Sequence, residues 1–235
     1  MSRNHRPNPS DDAHARPPED LRSSPSPFPL DPAALNWDDA VSTLVALAAD
    51  DLLREYDPIP TIVAFSGDEP VAIVGLRPFE TGDVGQALVE VLSLLVPLGA
   101  DRLAFGGTGR IWSLDDPIVP VCEEGDLRQR AIVIALADAH DGPCRLATSV
   151  HPFEGTGADL VLQPPIEVDG EGLGDAMELG PAAAILVGAL EQRTELFELT
   201  QPRELVAQLG RVLLLGHDLA LAPDPAASLT AASSV

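Results

Sequence analysis

Apolar residues recur at helical spacing between Trp37 and Leu52. Trp37, Val41, Leu44, Val45, Ala48 and Leu52 fall on one side of a period of about 3.6 residues. Asn36 stands before them as an N-cap, with Asp38 and Asp39 in the first turn, where negative charge favours the helix dipole. Pro58 and Pro60 end the pattern. "TIVAFSGDEPVAIVGLRPF" is two short apolar runs around a Gly-Asp-Glu-Pro turn, which predicts a hairpin. Val84, Leu88, Val91, Leu92 and Leu95 return to helical spacing and predict a second helix, closed by Pro97 and Gly99.

Further along, "RLAFGGTGRIWSL" predicts a second hairpin. A two-residue loop at Gly107 and Thr108 puts Leu103 opposite Trp112 and Phe105 opposite Arg110. "DDPIVPVCEEGD" is an acidic connection. "RAIVIALADAHDGPCRLATSVHPF" predicts a third hairpin turning at Asp141 and Gly142, with Asp138 opposite Arg145 as a charge pair. The strand-like piece "DLVLQPPIEV" leads into "DGEGLGD", read as a flexible loop. Two amphipathic helices are then predicted, "PAAAILVGALEQRTELFEL" and "PRELVAQLGRVLLLGHDLA". The first carries the stripe Ala182, Ile185, Leu186, Ala189, Leu190, Leu196 and Phe197. The second carries Leu205, Leu209, Val212 and Leu213.

Short turns between strands favour antiparallel pairing. The fold class is therefore α+β: an antiparallel sheet built from successive hairpins in helix-hairpin-helix-meander order, packed by helices, with two C-terminal helices. In element order alone it resembles several unrelated scaffold domains, including those of the roadblock and longin type. No residue motif accompanies that analogy. Residues 1–32 are rich in Pro, Ser, Arg and Asp, bury too little to offset ordering entropy, and are expected to be a disordered tail. Residues 33–220 form one α+β domain, with 178–220 as an alternative helical appendage, and 221–235 fray.

Charge then narrows the chemistry. The formal net charge is -23, and all 14 basic residues are Arg. Without Lys, a phosphate loop ending in Gly-Lys-Ser/Thr, a Lys Schiff base and a Ser-Lys nucleophile pair are excluded. Acidity argues against nucleic-acid binding through phosphates and against anionic membranes. Two cysteines, Cys122 and Cys144, do not make a disulfide framework. No apolar run reaches the roughly 18 residues of a membrane span, and the N-terminus lacks a signal-peptide core, so the cytoplasm is the expected location.

Candidate chemistry is sparse. Asp115, Asp116, Glu123, Glu124 and Asp126 fall within 12 residues and could converge on a hard divalent cation or share acid-base work. Cys144, His140 and Asp138 or Asp141 have the residue types of a nucleophile, base and orienter. The hairpin register, however, sends Cys144 to one face and His140 with Asp138 to the other. His140 and His151 lie too far apart along a strand to share a metal. Gly106–Gly109 lies between strands rather than opening a helix, as a phosphate cradle would. Asp169 and Glu171 begin a calcium-like loop that lacks its later ligands. No catalytic, metal or cofactor residue is assigned, and no cofactor is expected.

The leading expectation is a non-enzymatic interaction or regulatory protein. If the first two helices already cover the sheet, the C-terminal helices would offer a homodimer or partner surface. The alternatives are a divalent-metal-dependent hydrolase using the 115–126 acids and an acidic mimic of nucleic acid.

Overall fold

A computed structural model describes residues 30–79, 83–111, 128–195 and 201–222. Within them, eight strands form one antiparallel sheet with helices against both faces. The chain runs α1 (Ala40–Leu53), β1 (Thr61–Ser66), β2 (Glu69–Gly75), α2 (Val84–Leu95), β3 (Arg102–Arg110), β4 (Arg130–Asp138) and β5 (Arg145–Glu154). It continues through β6 (Val161–Leu162), β7 (Ile166–Glu171), α3 (Gly172–Leu179), α4 (Pro181–Glu191), α5 (Pro202–Leu214) and β8 (Asp218–Leu221). Across the sheet the order is β6-β5-β4-β3-β1-β2-β8, and β7 also pairs with β5.

α1 buries the expected stripe. Leu44, Ala48 and Leu52 are buried with Ala40, while Trp37, Val41 and Val45 pack beside them against Phe65, Ile73, Ile132 and Ile134. Asn36 caps a turn just before the helix: its side-chain oxygen accepts the Asp39 N–H at 2.9 Å. The opposite face is covered by α2 and α4. Leu88, Val91, Leu92 and Leu95 of α2 meet Leu186, Val187 and Leu190 of α4 over Ile62, Val74, Leu103 and Ala137. Burying each such aliphatic side chain contributes about 1.5–3 kcal/mol.

The β1–β2 hairpin turns at Gly67 and Asp68, with Ser66 opposite Glu69. Gly67 takes φ 57°, the left-handed conformation glycine adopts without steric cost. Asp138 stands opposite Arg145, as the β4–β5 register required.

Three sequence expectations are corrected. Gly107 and Thr108 do not turn the chain. β3 runs unbroken through both, pairing Leu103 with Ala64 and Ala137, and Phe105 with Ile62 and Ala135. Trp112, the expected partner of Leu103, lies outside the described residues. The glycines serve packing instead: a Cβ on Gly106 would come 3.2 Å from both the Leu44 Cβ and the Ile134 Cδ1. A bare backbone there lets α1 sit close on the sheet.

Secondly, "DGEGLGD" is not a loop. Its first residues finish β7, and the rest enter α3, where the Asp175 carboxylate accepts the Glu171 N–H at 2.8 Å. Thirdly, the last helix does not continue to Ala220. It stops at Leu214, Gly216 adopts φ 90°, and Asp218–Leu221 returns to pair with β2. Leu196 and Phe197 lie outside the described residues.

Candidate interaction face

α5 does not rest on the sheet. α2 and α4 already cover that face, and α5 packs on α2 through Val212, with Leu205 and Leu209 beside it. Its start is fixed by the Gln201 N–H, which donates to the Glu204 carboxylate at 2.8 Å. Its other side carries Val206, 70% exposed, Leu213, 52%, and Leu214, 90%. Ala207 is exposed on the same side, and a Cβ on Gly210 would meet nothing within 4 Å. An amphipathic helix ordinarily turns such residues inward.

A half-buried cluster holds the far end of α5. His217 follows the Gly216 turn and is only 2% exposed. Its Nδ1 accepts the Arg77 backbone N–H at 3.1 Å, and its Nε2 lies 3.0 Å from a Glu90 carboxylate oxygen. An acceptor at Nδ1 places the proton on Nε2, so the ring is a neutral tautomer donating to Glu90.

Glu90 also accepts from Arg77 Nε at 2.9 Å, from a terminal Arg77 nitrogen at 3.1 Å and from Gln86 at 3.0 Å. The Arg77 hydrogen bonds, helped by those from His217 and Gln86, hold the carboxyl down to about 2 against the cost of burial. Arg77 follows β2, Glu90 lies on α2 and His217 joins α5 to β8. One carboxylate therefore fastens α5 and the edge strand to the body of the fold.

The polar residues singled out from sequence fall elsewhere. Asp115, Asp116, Glu123, Glu124 and Asp126 lie outside the described residues. His140, Asp138 and Cys144 are described, and they separate as the register implied. Cys144 is buried in the core under α4. It borders a cavity of about 600 Å³ with Glu171, Leu190 and Arg193. Burial, with Glu191 nearby, pushes its thiol up to about 11, so it is protonated and inert as a nucleophile at neutral pH.

His140 faces Asp101 instead, its Nδ1 2.7 Å from one carboxylate oxygen. The other Asp101 oxygen accepts the Gly67 N–H at 2.8 Å. Asp138 accepts the His140 N–H at 2.9 Å and pairs with Arg102 at 3.1 Å. Arg102 lies over the Trp37 ring, 5.3 Å from its centroid. This network joins three loops at one end of the sheet.

The hydrogen bond to Asp101 raises the His140 pKa above its ordinary 6.5. A raised folded value means the stabilisation is fully present below pH 6.5 and is lost as pH rises through the folded value. A proton NMR titration of the ring should therefore give a midpoint above 6.5, and Asp101→Asn should bring it back towards 6.5. Identical titrations in the two proteins would show that the contact carries no charge coupling.

β7 sets Glu167, Asp169 and Glu171 on one face of an edge strand, spaced roughly 6.6 Å apart. Among the described residues, no group of three or more His, Cys, Asp or Glu side chains is placed to hold a metal ion, and no helix is long and apolar enough to cross a membrane. Comparison of the chain with protein-family models, curated proteins and solved structures finds no match.

Sequence reasoning does not bring Arg77, Glu90 and His217 together. Each looks like an isolated surface residue until the fold brings them together across 140 residues of chain. Leu213, expected in one stripe with Leu205, Leu209 and Val212, instead turns to the outer side with Val206 and Leu214, which the expected stripe did not include.

Proposed function

We propose that this chain is a non-enzymatic interaction protein that docks a partner through the outer side of α5. The observation carrying this reading is the placement of Val206, Leu213 and Leu214 in solvent, on a helix fastened at its far end by a half-buried ion pair. A helix fixed rigidly with apolar residues outward presents a preorganised surface, which lowers the entropic cost of binding. Large exposed apolar residues grouped on one element are the usual mark of an interaction site.

The test is affinity capture from the native host with wild type and Leu214→Glu in parallel. Proteins held by wild type and lost by at least tenfold with the variant support the reading. Capture unchanged by the variant, with circular dichroism showing both folded, overturns it.

A further inference from the structure

Beyond docking through α5, we propose that β7 takes up an extended segment of a partner protein as an added antiparallel strand, and that this segment alternates basic with apolar residues. β7 stands at the opposite edge of the sheet from β8 and pairs only with β5. The ladder fixes which backbone groups it leaves open. The Gly172 N–H donates to the Cys144 oxygen at 3.0 Å, and successive residues of a strand point their backbone groups to opposite sides. Ile166, Val168 and Gly170 therefore bond to β5, while Glu167, Asp169 and Glu171 point theirs away from it. The Glu171 N–H agrees with this alternation: it donates to the Asp175 carboxylate, not to β5. Among the described residues, the backbone groups of Glu167 and Asp169 have no hydrogen-bond partner.

The open stretch is short. Pro164 and Pro165 precede it and carry no N–H, and Asp175 caps its other end. It has room for a segment of about five residues, and its backbone bonds supply affinity without reading sequence.

Side chains choose the occupant. Glu167, Asp169 and Glu171 project to one face of the strand, and the exposed Ile166 and Val168 to the other. Directly opposite residues of antiparallel strands share a face and interact there. An added strand thus sets every second residue against a carboxylate and the residues between them beside Ile166 and Val168. Arg or Lys suits the first positions, and Val or Ile the second. A second copy of this chain is the wrong occupant. β7 laid antiparallel on itself brings carboxylate against carboxylate, and like charges directly opposite destabilise a sheet.

The test uses the full chain and a labelled peptide, Arg-Val-Arg-Val-Arg, whose three arginines match the three carboxylates. Fluorescence anisotropy up to about 1 mM protein should show saturable binding. The same peptide with its arginines N-methylated keeps its charge and loses the donors that would meet β7, and should bind at least about tenfold more weakly. Glu167→Gln with Asp169→Asn should weaken the unmodified peptide by a similar factor. Amide hydrogen exchange at Glu167 and Asp169 should slow when peptide is bound.

Equal binding of the two peptides, or unchanged exchange at Glu167 and Asp169, would mean that charge alone makes the contact, and the added strand is overturned. No binding of either peptide also overturns it, and leaves the carboxylates the role of keeping other strands off the edge. The comparison of peptides is made on wild type, so it stands even if the double variant fails to fold.

Discussion

Phe65→Ala is expected to lower the stability of the folded chain by about 3–5 kcal/mol. Phe65 is fully buried at the centre of the core beneath α1, in the same cluster as Leu44, Leu52, Ile73 and Ala104. Trp37 meets it edge-on, with ring centroids 5.5 Å apart and planes at 79°. That geometry adds about 0.5–1.5 kcal/mol beyond burial. Sheet backbone forms the floor of the site, so it cannot collapse to fill the void.

Urea unfolding followed by tryptophan fluorescence measures the loss. Leu53→Ala, at a residue 53% exposed on the same helix, should change stability by less than about 0.5 kcal/mol. A loss below about 1 kcal/mol in Phe65→Ala would mean that α1 does not seat on Phe65.

Glu90→Gln is expected to cost about 3 kcal/mol at neutral pH, and the cost should vanish in acid. The carboxyl lies at about 2 in the fold, against an ordinary 4.5. Each unit of difference is worth about 1.4 kcal/mol. A depressed folded value contributes stability that is fully present above pH 4.5 and is lost as pH falls towards 2. Lowering pH also discharges other carboxylates and relieves repulsion in so acidic a chain, so the wild-type curve alone mixes two opposing effects. The difference between wild type and Glu90→Gln isolates the first. A difference constant between pH 7 and pH 2.5 would show that the ion pair contributes no charge-dependent stability.

Periodicity carried most of the helical structure of the fold. The α1 and α2 stripes were read correctly because a helix pressed on a sheet must show its period in the sequence. Strand pairing was less legible. The β4–β5 hairpin was found because Asp141 and Gly142 mark its turn, which sets Asp138 opposite Arg145. β3 was misread because glycine marks both turns and places of close approach, and only the position of Leu44 above Gly106 tells them apart. β8 was absorbed into the preceding helix because "HDLA" is equally compatible with either state. Arg77, Glu90 and His217 carry no local signal, since what unites them is tertiary. The surplus of apolar residues on α5 was legible, but which of them face outward required knowing that α2 and α4 had already covered the sheet.

The return of β8 to β2 has a consequence for synthesis. The outer edge of β2 has no strand partner until Asp218–Leu221 leaves the ribosome, and 140 residues separate Arg77 from His217 at that junction. At about 5–20 residues per second, a nascent chain carries this open edge for roughly 7–30 seconds. An unpaired edge rich in Val and Ile is a template for pairing with other chains. Ribosomes spaced along one message would hold several such edges close together during that interval. Chaperone demand should therefore persist until Asp218–Leu221 has been made, and a chain cut before Asp218 should aggregate where one that includes β8 does not.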